Sequence, residues 1–368
     1  MPDSLQHQIA LTLVPQVGAV TAKLLISYCG SAEAVFHASK RELLKIPGIG
    51  IGTANSIHTA EPLARAEREL TFLEQHGVNA FFYTHEHYPA RLRQCYDCPP
   101  MLYFKGSSPD LLSARRIVAI VGTRQPSEYG KALCEELVDG LRPFNVLVVS
   151  GLAYGIDIAA HRKATALEMP NIGVLGHGLG NIYPSQHRST ALKMIENGGL
   201  LTEYIFDTKP DREHFPMRNR IIAGICDALV VVETATTGGS MISAELASQY
   251  ERDTFAIPGR AHDIKSAGCN LLIKTNRARL AESAADLAAA LRWDESAKQS
   301  NIQIALFPDL SPAETGLLDI IREKPEIPID QLTIAAQLPP GELASLILGL
   351  EFKGVIRTLP GKRYMVSV

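Results

Sequence analysis

Between residues 115 and 280, short apolar runs alternate with helix-period stretches, and this alternation constrains the fold more than any other feature. The strand-like runs are 117–121, 146–149, 172–175, 200–203, 228–233 and 254–257. Helical patterns fall near 128–142, 155–168, 186–197, 217–225 and 240–251. Several of the strands are apolar at every position, as required when helices cover both faces of a parallel sheet. The pattern predicts an α/β domain with an extended, Rossmann-like doubly wound sheet. In such a sheet ligands bind beyond the carboxyl ends of the strands.

The residues that follow each strand therefore carry the functional information. They read Gly122-Thr123-Arg124, Ser150-Gly151, Gly176-His177-Gly178, Glu233 through Gly238-Gly239-Ser240, and Pro258-Gly259-Arg260. Glycine-rich turns that open helices aim backbone N–H groups and the helix dipole at an anion. Arg124 is placed to add a guanidinium fork to a phosphate. In 214–224, Arg218 and Arg220 flank Asn219 at a helix start, where cations and free amides are expected to converge on one anion. From 254 to 279 there are five cations (Arg260, Lys265, Lys274, Arg277 and Arg279) against Asp263 alone. This local excess matters because the chain as a whole carries a formal charge of −3, and a polyanion binder needs at least a basic patch.

Enzyme signatures are weak. No G-x-x-x-x-G-K-[ST] occurs, and neither the first turn nor Gly176–Gly180 has dinucleotide spacing. Asp157 and His161 stand one helical turn apart, so they form either a general-base pair or a structural contact. Glu233 is expected to face the pocket as an acid or base, or to cap the helix beginning near Gly239. Cys95 and Cys98 alone have metal-like spacing and lack the ligands that would complete a zinc site. No metal and no cofactor are expected. The amino terminus does not read as a signal peptide, and no apolar run approaches the ~20 residues that span a bilayer. A cytoplasmic protein is expected.

The expected domains are a helical one over 1–80, the Rossmann-like one over 81–292, a linker over 293–312 and a winged helix over 313–368. Within the first, Leu13–Gly18 and Leu44–Gly50 share a Pro-x-x-Gly pattern of the helix-hairpin-helix kind, with Gln16 where the second copy has Gly48. Such hairpins either offer N–H groups to phosphate or simply permit tight helix packing. In the last, helical patterns precede two strand-like runs turning at Pro360-Gly361. The tail carries six basic against seven acidic residues over 311–368, so strong backbone binding there is not expected.

Together these motifs resemble the DNA-processing protein A family (DprA, also called Smf). The match is carried by Val121–Arg124, the Ser150–His161 block, Tyr183-Pro184, Phe215–Gly224, Gly239-Ser240, Pro258-Gly259, Gly268–Ile273, and upstream Tyr88-Pro89 and Pro99–Gly106. The resemblance implies a non-catalytic protein that binds single-stranded DNA, loads the RecA recombinase onto it during natural transformation, and forms homodimers through the Rossmann-like domain. It assigns DNA contact to Arg124, pocket formation to Arg218, Asn219 and Arg220, and a basic rim to Lys274. With the strand-end residues, the expected phosphate site comprises Gly122, Thr123, Arg124, Ser150, Gly151, Arg218, Asn219, Arg220, Gly238, Gly239, Ser240 and Lys274. Two departures stand out: Ser185-Gln186-His187 follows Tyr183-Pro184, and Asn276-Arg277-Ala278 follows the Leu-Leu-Ile helix. Tyr154, Tyr183, Tyr204 and Phe215 are the candidate stacking aromatics. The competing reading is a nucleotide phosphoribohydrolase on a related fold. Its glutamate is expected after a Gly-Gly pair, whereas Glu233 precedes Gly238-Gly239.

Overall fold

The computed structural model describes residues 4–293, 310–324 and 326–367, so the expected linker lies mostly outside the described residues. The expected strands all form, as β3 (Ile117–Val121), β4 (Leu147–Ser150), β5 (Asn171–Val174), β6 (Gly199–Thr202), β7 (Ala228–Val231) and β8 (Asp253–Ala256). They pair in parallel, with a short β9 (Arg279–Leu280) beside β8. Two further strands, β1 (Asn79–Phe82) and β2 (Met101–Gly106), extend the sheet antiparallel from β6. The order is β1-β2-β6-β5-β4-β3-β7-β8-β9.

Side-chain alternation divides the sheet's packing cleanly. Ile117, Ala119 and Val121 point into one buried cluster with Val149, Val174, Leu229 and Ile221. Val118 and Ile120 point into the other with Val148, Val230, Leu137 and Ala160. Both faces are dry, which explains the uninterrupted apolar runs in the sequence. Chain order reverses across β3: the strand leads on one side to β4, β5 and β6, and on the other lies against β7 and β8. A crevice therefore opens where the loops after β3 and β7 leave in opposite directions.

The amino-terminal helices pack as one cluster from Ile9 to Leu73 that continues onto Phe82, Met101 and Tyr103 of the sheet. Its two hairpins are equivalent in backbone: Gln16 has φ 68° where the second copy has Gly48 at 82°. The Gln16 side chain accepts a hydrogen bond from Thr53 Oγ1 at 3.3 Å, which links the two copies. Helix Glu61–His76 joins this unit to the sheet. Phe72 stacks on Phe206 at 5.3 Å, and the Phe206 N–H donates to Glu69 Oε1 at 2.8 Å. The tail forms helices Pro312–Glu323, Ile329–Ala336 and Pro340–Phe352, then β11 (Ile356–Leu359) and β12 (Arg363–Val366), with β10 (Ile327–Pro328) completing a small sheet. This is the expected winged helix, and its hairpin turns at Gly361 and Lys362, both at positive φ. Among the described residues no helix is long and apolar enough to cross a membrane.

Glu69 gives this architecture a pH signature. Burial pushes its carboxyl up to about 7, with the Phe206 N–H opposing and Asp207 reinforcing. The unfolded group titrates near 4.3, so the folded state holds the proton more tightly. Stability is then highest below the unfolded value, falls as pH rises toward 7, and levels off above it. Glu69→Gln keeps an acceptor for Phe206 and removes the charge. Its melting temperature relative to the parent is expected to rise more at pH 8 than at pH 5, as read by thermal melts at both values. An equal effect at both would show that Glu69 is not the titrating group.

Candidate nucleic-acid cleft

The crevice at the carboxyl end of β3 encloses about 740 Å³. Its walls come from the loop after β3 (Gly122, Thr123, Arg124), the start of helix Gly239–Gln249, and helix His214–Ile225. The Thr123 N–H donates to Glu233 O at 2.7 Å, and the Ile156 N–H donates to Thr123 O at 3.2 Å. The first loop is thereby tied both to the end of β7 and to helix Ile156–Ala166, which fixes Arg124 at the mouth. The Arg124 side chain is exposed, with its guanidinium over the Phe215 ring at 5.4 Å. Phe215 lies 5.9 Å from Tyr183, so a cation and two aromatic rings share one rim.

Arg218 forms the floor and is 3% exposed. Its Nη1 donates to Gly151 O at 2.5 Å and also to Val174 O, and its Nε has no partner. Burial pulls the guanidinium down to about 10, opposed by Asp157, and it stays protonated at neutral pH. Burial in turn raises the Asp157 carboxyl, with Arg218 opposing, while Asp157 Oδ2 accepts from Ala153 N–H at 3.4 Å. The nearest acceptors of Arg218 are neutral carbonyls, so much of its charge is left to act on the cleft. At the opposite wall Ser240 is 5% exposed, and its Oγ is an orphan in the first turn of its helix. Arg218, Ser240 and the amino terminus of helix Gly239–Gln249 border one space, an arrangement that suits an anionic ligand.

The expected site is only partly brought together. Gly122, Thr123, Arg124, Arg218, Asn219, Gly238, Gly239 and Ser240 line the cleft. Ser150 does not: it is fully buried and donates to Ile120 O at 2.5 Å. Gly151 lies beneath the floor, where a Cβ would collide with the Arg218 guanidinium. Arg220 corrects the expectation of two converging arginines. Residues two apart on a helix lie about 200° apart, so Arg218 and Arg220 face opposite ways. Arg220 ion-pairs with Glu203, donates to Asp97 O, and lines a different cleft with Arg65 and Tyr204. Lys274 is exposed outside the cleft lining. The cation-rich stretch is also partly neutralised by acids just before it in the chain, since Arg277 pairs with Glu245 and Arg279 with Asp253 at 3.6 Å. Tyr154 bonds Gln186 and Tyr204 stacks on His214 at 4.2 Å, which leaves Tyr183 and Phe215 as the aromatics of the cleft. Arg212, flanked by acids in the sequence and therefore unremarkable there, is the lining cation that sequence reasoning missed.

Glu233 neither lines the cleft nor caps the helix at Gly239. Its two oxygens accept from Ser127 N–H and Oγ, each at 2.7 Å, at the start of helix Glu128–Leu141. A Cβ on Gly130 would lie 2.7 Å from this carboxylate. His161 turns from Asp157 to Asn171 Oδ1 at 2.9 Å, and burial lowers it to about 4, so it is neutral at physiological pH. Cys95 and Cys98 are buried free thiols, and no group among the described residues is arranged to hold a metal.

A doubly wound sheet with a crevice at its switch point defines an α/β protein of the Rossmann-like class. Comparison with known proteins then specifies which. Residues 79–292 match the family described as DNA recombination-mediator protein A, 305–362 match the DprA winged helix domain, and 9–61 match a helix-hairpin-helix motif. The chain is 30% identical to protein Smf of Synechocystis, covering 97% of this chain and 98% of that protein. It is 37% identical to DNA processing protein DprA of Bacillus subtilis, covering 56% and 69%. The structure of DprA from Streptococcus pneumoniae superposes with a TM-score of 0.66 at 30% identity, covering 78% of this chain and 98% of that one. DNA processing protein A from Helicobacter pylori, described with a single-stranded DNA binding mode, gives 0.54 at 30% identity, covering 59% and 96%. The chain belongs to the DNA recombination-mediator protein A family.

The fit of Arg218 over Gly151 is testable alone. Gly151→Ala is expected to lower stability by about 1–3 kcal/mol through overpacking. In an Arg218→Met background the same change should cost measurably less, as read by urea denaturation. Equal costs in both backgrounds would show that the two residues do not compete for space.

Proposed function

We propose that this protein is a non-catalytic recombination mediator that binds single-stranded DNA in the β3 crevice and loads a RecA-type recombinase onto it. The observation that carries the reading is the rim: Arg124 over Phe215 beside Tyr183, above buried Arg218. A single strand presents phosphates and unstacked bases together, so it needs cations interleaved with aromatic faces. A mononucleotide would need fewer rings, and a duplex would leave them unused. Arg124, Arg212 and Arg218 serve the backbone, Gly122, Thr123, Gly239 and Ser240 supply N–H and O–H donors, and Tyr183 and Phe215 stack bases. Gly151 acts by making room for Arg218. Arg220 and Ser150 hold the fold, and Lys274 contributes at most to the outer field.

The relative from Helicobacter pylori, whose described binding is to single strands, supports this reading. Homodimerisation through the Rossmann-like domain, action in the cytoplasm and a role in taking up transforming DNA belong to the same proposal by family membership. A non-catalytic role fits the cleft's carboxyl chemistry. The carboxylate of the lining, Asp157, is buried beside Arg218, and Glu233 lies outside the cleft, bonded to Ser127.

Arg124→Ala is expected to weaken binding of a labelled single-stranded oligonucleotide several-fold. It should also lower the slope of log affinity against log salt by about 0.7, the value for one lost phosphate contact. Fluorescence anisotropy across a salt series reads both. An unchanged affinity, or salt-independent binding by the parent, would remove the cleft from the account. Release of free base from nucleoside monophosphates, abolished by Asp157→Asn, would favour the phosphoribohydrolase reading.

A further inference from the structure

A second concentration of cations lies at the opposite, amino-terminal edge of the sheet, where the winged helix meets it. The wing tip reaches Asp227, just before β7: Arg363 Nη2 donates to Asp227 Oδ1 at 3.1 Å and Nη1 to Glu326 Oε2 at 2.6 Å. Asp227 also receives Arg91 Nε at 2.6 Å and the Ile117 N–H at 2.8 Å. Both carboxylates of this seam are therefore already engaged.

Around them runs a narrow cleft lined, among the described residues, by five arginines: Arg115, Arg116 and Arg292 from the sheet side, Arg357 and Arg363 from the wing. Asp227 and Glu326 are its acidic lining residues. Arg116 is fixed by donating to Phe144 O at 2.9 Å, with its guanidinium over the Trp293 ring at 5.3 Å. Arg115 and Arg292 are exposed and make no ion pair among the described residues. Guanidinium groups gathered from two sides of a seam repel one another, and a bound polyanion relieves that repulsion. Their forks match phosphate oxygens in pairs. The cleft has room of only about 50 Å³, enough for phosphate oxygens and too little for a base. Its aromatic ring, Trp293, is 8% exposed and offers no stacking face. Such a site touches backbone alone. A duplex, with its phosphates outward and its bases hidden, satisfies it fully.

We propose that the seam between winged helix and sheet is a second nucleic-acid contact, which takes the sugar–phosphate backbone of a duplex without reading its sequence. It lies at the opposite edge of the sheet from the β3 crevice and stands whether or not that crevice binds single strands. The wing's Arg363 holds the hairpin to Asp227 and Glu326 and so shapes the cleft beside Arg115 and Arg292.

The test uses the full-length chain, a labelled short duplex and anisotropy across a salt series. Arg115→Glu with Arg292→Glu is expected to weaken duplex binding about tenfold or more and to lower the salt slope by about 2, as for two lost phosphate contacts. The milder pair Arg115→Gln with Arg292→Gln should give an intermediate loss with an unchanged melting temperature. Arg124→Ala should leave duplex affinity within about twofold, because that side chain lies at the other edge. Duplex affinity unchanged in the Glu pair would overturn the proposal, as would equal loss in Arg124→Ala. So would competition by poly-glutamate as strong as by unlabelled duplex at matched charge, which would make the seam a docking site for an acidic protein.

Discussion

The reversal of strand order at β3 is the constraint from which the cleft follows. Because β4 lies on one side and β7 on the other, the loops after β3 and β7 part instead of covering each other. The space they leave must be floored by something, and the chain floors it with a buried arginine. Arg218 reaches under the strand ends to the carbonyls of Gly151 and Val174. One nitrogen, Nη1, serves both carbonyls. A side chain at 151 would take the same volume. The fold and the charge of the cleft are thus set by one interlock.

That interlock bears on the mismatch between a slightly acidic chain and the polyanion site proposed for it. Several cations are paired at home among the described residues: Arg91 with Asp227, Arg220 with Glu203, Arg277 with Glu245. Those pairs add little long-range field. Arg218 differs in being buried against carbonyl dipoles and only opposed by Asp157, and Arg124 differs in facing solvent across an aromatic ring. A few local cations, partly offset by Asp157, sit where glycine-rich turns open helices, a cluster that the net charge of −3 does not report.

The parallel sheet was legible because a strand buried on both faces has a signature that surface helices do not share. Ile117–Val121 and Ala228–Val231 each read without ambiguity. The lining glycines and Arg124 were legible because strand ends are where a doubly wound sheet binds. Orientation was not legible. Arg218 and Arg220 look alike in sequence, and only helical phase separates them. The partner of Glu233 lies at Ser127, more than a hundred positions away, so nothing local announced a cap. The cation cluster at 254–279 looked uncompensated because Glu245 and Asp253 lie just outside that window. Strand β2 joins the sheet by pairing with β6 and β1 follows by pairing with β2, a long-range choice that short, proline-rich segments do not disclose.

Single-stranded nucleic acid in the crevice above Arg218 would stack on the rim formed by Tyr183 and Phe215. Photo-crosslinking with a single strand carrying 5-iodouracil, followed by peptide mapping of the full chain, addresses this directly. Crosslinks are expected to concentrate on peptides containing Tyr183 and Phe215, which are the aromatic rings of the cleft. Crosslinks confined to the helices before residue 77 or to the winged helix after 311, with both rim peptides unmodified, would contradict it.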